Sequence, residues 1–262
     1  MTCPLLRVDG IEVRYQRSIV GVSDISLTVM AGSITAILGT NGAGKTTTLR
    51  AISGFIGLDS ARVTKGQISY QGERIDSSVP HEIARLGIAI VPEREKIFPN
   101  LTVAENILVS KAAHGRRTHQ GGGGQDIYAL FPRLAEMKGR LAGLLSGGER
   151  QMLAIASALS CNPSLLLIDE LSLGLAPVVV EDLAQQILNI RDALNLSILV
   201  VEQSAHLALE MSDFAYVFEN GQVALAGRSA DLARDPSVQA LYLGTSDSRH
   251  QNADLAQQVE RP

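Results

Sequence analysis

Hydrophobic and polar residues alternate along the first thirty positions of the chain. Apolar side chains recur at every second position in the segments 6–8 and 25–29, and again at residues 11, 13 and 15. Period-two alternation is typical of strands with one buried face. The pairs Asp9-Gly10 and Ala31-Gly32 carry residue types that favour turns. We therefore predict short antiparallel strands here.

Predominantly apolar runs replace this alternation further along the chain. They occupy residues 33–38, 87–91, 165–168 and 197–201. Such runs are typical of strands buried on both faces. Helical patterns follow at residues 45–53, 180–194 and Ala205–Met211, and a hairpin is predicted around Asn220-Gly221. Strands that alternate with helices predict an α/β fold with a mostly parallel sheet.

The pattern becomes helical from about residue 94 to residue 161, which predicts an inserted α-helical subdomain. We predict helices at Val103–Ala113, 127–137 and 149–161. In the first of them we expect Ile107 and Leu108 to lie on one side. The run Gly121–Gly124 is not preceded by a strand, so we interpret it as a flexible linker and not as a phosphate site.

Composition narrows the class of protein. The chain has 262 residues, a net charge of −4 and 45% hydrophobic residues, which fits a globular domain and disfavours a nucleic-acid-binding protein. No apolar run is long enough to span a membrane, and we find no secretory signal, so we expect a cytoplasmic location. Cys3 and Cys161 have no metal-like spacing, and we expect both to be reduced.

A glycine-rich segment between the predicted strand 33–38 and the helix that follows fits the pattern G-x-x-x-x-G-K-[ST]. Its backbone N–H groups and the helix N-terminus can converge on an anion. Lys45 is expected to reach the β- and γ-phosphates of ATP as a catalytic residue, Thr46 to ligate Mg²⁺, and Thr47 to assist at the α-phosphate. The predicted nucleotide-binding residues are Gly39, Thr40, Asn41, Gly42, Ala43, Gly44, Lys45, Thr46 and Thr47. Residues 39–46 are called the phosphate loop below.

Two acids end the apolar run 165–168. Ligands of open α/β sheets bind at the carboxyl ends of the strands, so Asp169 and Glu170 are expected beside the phosphates. Asp169 is the predicted partner of Mg²⁺. Glu170 is the predicted catalytic residue that orients or deprotonates the attacking water. The alternative is a pair of acids that cap the following helix.

A second candidate phosphate site precedes the helix at 149–161. It consists of Ser146, Gly147 and Gly148, called the serine–glycine corner below. Ser146 can cap the helix, and the bare backbone of the two glycines offers N–H donors to an anion. One nucleotide does not need two such sites. The pattern therefore predicts a head-to-tail dimer in which each corner closes over the partner's ATP.

Phosphate loop, serine–glycine corner and acid-ended strand occur in an order and spacing that resemble the ATP-binding cassette (ABC) ATPases. The resemblance covers residues 5–244. It implies a P-loop NTPase core with an N-terminal antiparallel β subdomain and a helical subdomain at about 94–161. Residues 1–244 would form a single ABC ATPase domain, and residues 245–262 a polar tail.

The resemblance also assigns three further residues. Tyr15 lies where the family places an aromatic ring that stacks on adenine; a strand residue packed on the sheet is the alternative. Glu93 stands at the family's glutamine loop as a candidate Mg²⁺ ligand, with a solvated loop acid as the alternative. Gln203 stands at the family's switch histidine, where it can donate a hydrogen bond to the γ-phosphate but carries no charge.

Glu93, Gln203 and the segment 172–177 resemble the subgroup that serves branched-chain amino-acid importers, and the same type serves urea and short amides. This implies a homo- or heterodimer on the inner face of the cell membrane, two membrane-spanning permeases and an extracytoplasmic binding protein. An exporter ATPase and a soluble ABC protein of translation or DNA maintenance remain the alternatives.

Overall fold

The computed structural model describes residues 3–16, 18–94, 97–113 and 126–239. The strands are β1 (Leu6–Tyr15), β2 (Ile19–Val29), β3 (Ile34–Gly39), β4 (Ala61–Tyr70), β5 (Glu73–Arg74), β6 (Ile88–Val91), β7 (Leu165–Asp169), β8 (Ser197–Glu202), β9 (Phe214–Glu219) and β10 (Gln222–Arg228). The glycine run and the tail 245–262 lie outside the described residues.

The helices are α1 (Lys45–Ile52), α2 (Pro80–Leu86), α3 (Val103–Ala113), α4 (Ile127–Leu130), α5 (Pro132–Glu136), α6 (Gly147–Leu159), α7 (Pro177–Leu194), α8 (Ala205–Met211), α9 (Ser229–Leu232) and α10 (Pro236–Val238). Two short 3₁₀ helices lie at Phe55–Asp59 and Ala142–Leu144. Within the described ranges, no helix combines the length and the apolar character that crossing a membrane requires.

A six-stranded sheet forms the centre of the molecule, in the order β10-β9-β3-β8-β7-β6. All neighbours are parallel except β9 and β10, which form the predicted hairpin. The prediction of an α/β fold with a mostly parallel sheet is confirmed. Since β3, β7 and β8 are parallel neighbours, Gly39, Asp169 and Glu202 end their strands at the same edge of the sheet.

Apolar residues fill both faces of this sheet. Leu166 and Ile168 belong to the core shared with α3 and α6–α8, whereas Leu165 and Leu167 belong to the core shared with α1 and the N-terminal strands. Successive side chains of a strand point to opposite faces, which explains the continuous apolar run. The strand ends that carry the site are thus held in a packed core.

A second, antiparallel sheet has the order β2-β1-β4-β5 and confirms the predicted N-terminal β subdomain. The prediction of a turn at Asp9-Gly10 was wrong, because β1 runs through both residues. Its register against β2 and β4 shifts there, which marks a bulge. Gly10 has a φ of +54°, so the residue that suggested a turn accommodates the bulge instead.

Two details of the helical region also differ from the sequence expectations. The single helix predicted at 127–137 is two helices, α4 and α5, because Pro132 has no N–H to donate and Phe131 leaves the helical conformation. Ile107 is 8% exposed but Leu108 is 64% exposed, since consecutive residues of a helix point about 100° apart. The domain limits 1–244 and 94–161 stay predictions.

Candidate active site

The phosphate loop connects β3 to α1, as predicted. Gly44 caps α1 in the left-handed conformation, with a φ of +98°. A Cβ atom at this position would overlap Val22 Cγ1 of β2, so only glycine fits between the loop and the antiparallel sheet. The loop therefore delivers the N-terminus of α1 to the edge of the sheet where the strands end.

Lys45 is nearly buried, with 5% of its surface exposed. Its Nζ donates hydrogen bonds to the carbonyl oxygens of Gly39, at 2.9 Å, and Thr40, at 3.2 Å. Glu170 Oε1 lies 3.5 Å from the same ammonium group. The buried Lys45 ammonium group is therefore held inside the phosphate loop, where it could bind a nucleotide phosphate.

Asp169 ends β7 beside Thr46, whose Oγ1 donates to Asp169 Oδ1 at 3.2 Å. Asp169 is only 4% exposed, and this burial raises its pKa to about 6, with the nearby charges of Glu170 and Glu93 adding to the effect. The hydrogen bond from Thr46 opposes the rise. The Thr46 hydrogen bond and the charge of Lys45 thus compensate the ionised carboxylate only in part, and a divalent cation would add to this compensation.

The oxygen ligands available here fit Mg²⁺. A hydroxyl and one or two carboxylates, completed by phosphate oxygens, form its usual environment in nucleotide sites. Among the described residues, no group of three or more His, Cys, Asp or Glu side chains is arranged to hold a metal without other ligands. Thr46, Asp169 and Glu93 therefore stay predicted Mg²⁺ ligands.

Glu170 adopts a left-handed backbone conformation, with a φ of +55°. Its N–H donates to the carbonyl oxygen of Val201 in β8, at 3.0 Å, which ties the end of β7 to the neighbouring strand. A non-glycine residue with positive φ is uncommon and is often found at active sites. The backbone thus places the Glu170 carboxylate near Lys45 and above the strand ends.

Glu93 and Gln203 follow β6 and β8 and so lie along the same sheet edge. The Glu93 carboxylate accepts a hydrogen bond from Arg94 Nε at 3.0 Å and remains partly exposed. Its charge is one of the smaller causes that raise the pKa of Asp169. Gln203 is exposed at the start of the segment that leads into α8.

Tyr15 ends β1 next to the phosphate loop. Its hydroxyl lies 3.0 Å from Thr47 Oγ1 in α1. The ring passes over Gly21, where a Cβ atom would lie 2.7 Å from Tyr15 Cε2. The structure thus brings together the residues predicted at the adenine and at the α-phosphate, and stacking of the ring on adenine remains a prediction.

The serine–glycine corner begins α6, and the predicted cap is confirmed. Ser146 Oγ accepts from Glu149 N at 3.3 Å, while Ser146 N donates to Glu149 Oε2 at 2.8 Å. A Cβ at Gly148 would overlap Val179 Cγ1, and one at Gly147 would lie 3.0 Å from Leu175 Cδ2. The corner packs against Leu175 and the first turn of α7. Glu170, Asp169 and Tyr15 instead contact Lys45, Thr46 and Thr47 at the phosphate loop and the start of α1.

Glu202 was not among the site residues predicted from the sequence. It is completely buried at the end of β8, and its two oxygens accept from Ser172 N, at 2.9 Å, and Ser172 Oγ, at 2.8 Å. An acid that ends an apolar strand was the sign that identified Asp169, and the same sign is present here.

Sheet order and phosphate loop together define a P-loop ATPase. Residues 22–172 match the family described as "ABC transporter". The chain therefore belongs to the ABC transporter family, as one of its ATP-hydrolysing subunits.

Relatives of known name cover nearly the whole chain. The high-affinity branched-chain amino acid transport ATP-binding protein BraG of Pseudomonas aeruginosa is 38% identical, over 92% of this chain and 100% of its own length. The probable branched-chain amino acid transport ATP-binding protein LivF of Archaeoglobus fulgidus is 39% identical, over 86% and 92%. The lipopolysaccharide export system ATP-binding protein LptB of Haemophilus influenzae is 33% identical, over 85% and 90%.

A solved structure supports the same assignment. The ADP conformation of MJ1267, an ATP-binding cassette of an ABC transporter, is 26% identical to this chain. It superposes with a TM-score of 0.79 over 93% of this chain and 100% of its own. The predicted family and fold are confirmed.

Proposed function

We propose that this chain is the ATP-hydrolysing subunit of an importer for branched-chain amino acids. The observation that carries this proposal is the 38% identity to BraG along that protein's full length. The unusual pair Glu93 and Gln203, which resembles the same subgroup, supports it. A urea or short-amide importer of this subgroup is the alternative, because the ATP site has the same residues whichever substrate is transported.

The geometry supports a separate role for each residue of the site. Lys45 binds and orients the β- and γ-phosphates, and Gln203 donates a hydrogen bond at the γ-phosphate. Glu170, close to Lys45 and tied to β8, orients or deprotonates the attacking water. Thr46 and Asp169, with Glu93, would hold Mg²⁺, which neutralises phosphate charge when bound.

Two chains are proposed to close head to tail on two ATP molecules. The serine–glycine corner lies at the N-terminus of α6, where backbone N–H groups are free to bind an anion. Within one chain this corner packs on residues 175 and 179 and not on the phosphate loop. A partner's nucleotide would complete it. The dimer is either a homodimer or a heterodimer with a second cassette.

Exposed apolar side chains support contact with membrane partners. Phe98, Leu141 and Leu144 are exposed, and the N–H of Gly143 donates to the Pro99 carbonyl, which holds their segments together. Apolar patches of this kind mark interaction sites. We propose that the helical region is the surface on which the two permeases dock. This places the chain on the cytoplasmic face of the membrane. An extracytoplasmic binding protein is proposed to deliver the substrate to the permeases.

Hydrolysis is tested with Glu170→Gln and Lys45→Ala. We expect Glu170→Gln to bind ATP, to lower kcat by about 10²-fold or more, and to accumulate an ATP-bound dimer in size-exclusion chromatography with light scattering. Lys45→Ala should lose nucleotide binding. Glu181→Gln, an exposed acid on α7, is the matched control. Parental hydrolysis by Glu170→Gln would refute its assigned role.

Transport is tested by affinity capture of the chain from gently solubilised native membranes, followed by mass spectrometry and uptake assays. Two multi-span permeases, with leucine, isoleucine and valine uptake that Glu170→Gln abolishes, would support the proposal. Urea uptake alone would favour the alternative. Because LptB is 33% identical, a lipopolysaccharide exporter is the second candidate, and capture of lipopolysaccharide export components would favour it. Ribosomes or DNA would refute both.

A further inference from the structure

A completely buried carboxylate connects the end of β8 to the loop that follows Glu170. Glu202 has no exposed surface, and each of its two oxygens accepts one hydrogen bond from Ser172, from the backbone N–H at 2.9 Å and from the hydroxyl at 2.8 Å. An ionised carboxylate only accepts hydrogen bonds, so both donors match its chemistry. We call residues 171–176 the linking loop, because they join Glu170 to α7.

The core alone does not explain this acid. Residues 198–201 of β8 are apolar and fully buried, so an apolar side chain at 202 would continue the pattern. A buried carboxylate is destabilising unless it is well hydrogen-bonded. The nearby Glu170 charge adds to this cost, because together with burial it raises the pKa of Glu202. The hydrogen bonds from Ser172, and not packing in the core, therefore account for a carboxylate at position 202.

The other end of the linking loop contacts the serine–glycine corner. Leu175 Cδ2 would lie 3.0 Å from a Cβ at Gly147, and Val179, in the first turn of α7, would overlap a Cβ at Gly148. The linking loop is therefore held by Glu202 at Ser172 and lies against the corner at its other end. Gln203, which is proposed to donate a hydrogen bond to the γ-phosphate, is the next residue after Glu202.

We propose that Glu202 is a positioning residue that fixes the linking loop, so that the hydrolytic residues of one nucleotide site and the serine–glycine corner facing the other site move together. The inference rests on the proposed dimer. We therefore expect loss of the Glu202–Ser172 contact to leave ATP binding to a single chain intact, while it weakens ATP-dependent dimerisation and lowers the rate of hydrolysis.

The test compares Glu202→Leu, Glu202→Gln and Ser172→Ala in the full chain. Glu202→Leu removes both acceptors but keeps an apolar core, whereas Glu202→Gln keeps the shape, accepts from Ser172 N and can donate to Ser172 Oγ. We expect Glu202→Leu to lower kcat about tenfold while the Kd of the single chain for a fluorescent ATP analogue stays within twofold. Glu202→Gln should restore most of the turnover.

Ser172→Ala removes only the hydroxyl and should lower kcat about threefold, and combining it with Glu202→Leu should add no further loss, because both changes break one contact. Ser212→Ala removes another partly buried, hydrogen-bonded hydroxyl at the far end of α8 and is the control. In a Glu170→Gln background, Glu202→Leu should weaken the ATP-dependent dimer about tenfold.

Unchanged kcat in a folded Glu202→Leu chain would overturn the inference, as would a loss of ATP binding equal to the loss of turnover. If Glu202→Leu does not fold, Ser172→Ala decides: parental turnover and dimerisation would overturn the proposal. A parental chain that neither hydrolyses ATP nor dimerises would instead refute the proposed function, so the two failures are distinguishable.

Discussion

The buried Asp169 predicts an unusual dependence of stability on pH. Its pKa lies at about 6 instead of the usual 3.8, mainly because the carboxyl is buried. Between these values the folded chain keeps the proton that the unfolded chain has released, so the folded state binds more protons and its stability falls as the pH rises through this window. The full effect corresponds to about 3 kcal/mol, of which about 2 kcal/mol develops between pH 4.5 and 7.5.

Asp169→Asn should remove this effect, because the amide is neutral and its oxygen can still accept the hydrogen bond from Thr46. The free energy of unfolding of both chains is measured in urea from pH 4.5 to 7.5, without nucleotide and with a chelator. We expect the variant to gain about 2 kcal/mol on the parental chain across this range. Added Mg²⁺ and ATP should then favour the parental chain, since a bound ligand stabilises only the chain that binds it.

Asp182→Asn, which removes an exposed carboxyl on α7, is the control for the loss of one charge. Parallel stability curves for the parental chain and Asp169→Asn across the whole pH range would refute the reasoning. The same result would mean that the site tolerates the ionised carboxylate without a cation.

Three further changes test the packing and the chemistry. Leu199→Ala empties a fully buried position in the central strand β8 and should cost about 2–5 kcal/mol of unfolding free energy in urea, so a loss below about 1 kcal/mol would contradict the packing described. Gly148→Ala places a methyl group against Val179; we expect hydrolysis to fall while the single chain still binds ATP, and unchanged turnover would argue against a role for the corner. Gln203→His should keep ATP binding and make kcat depend on pH between about 5.5 and 7.5, where histidine titrates; lost binding would show that Gln203 is structural.

Much of the site was predictable because its residues follow abrupt changes in local pattern. Gly39 ends an apolar strand and Asp169 ends another, and parallel strands with a common direction bring such positions to one edge. Such strand ends can be recognised from the local sequence, without knowledge of tertiary contacts. The cap at Ser146 was predictable for the same reason, since capping depends on residues within one turn of the helix.

The features that were missed depend on contacts between distant segments. Gly10 suggests a turn or a bulge equally well, and the pairing of β1 with β4 decides for the bulge. Glu202 at the end of a strand could equally face solvent, and only its burial against Ser172 reveals a partner thirty residues away in sequence. The break at Phe131 is the exception, since it is local: the sequence already shows a proline at 132, and proline breaks or kinks a helix.

The position of β3 in the sheet has a consequence for the order in which the protein folds during synthesis. The antiparallel sheet draws its four strands from residues 6–74, so its pairing partners are all present early. β3, which leads into the phosphate loop, pairs with β8 and β9, and both lie beyond residue 196. Closing such a long stretch of chain is slow and must await the last strands. Nucleotide binding should therefore arise only as synthesis nears its end, and we expect an incomplete chain not to hydrolyse ATP.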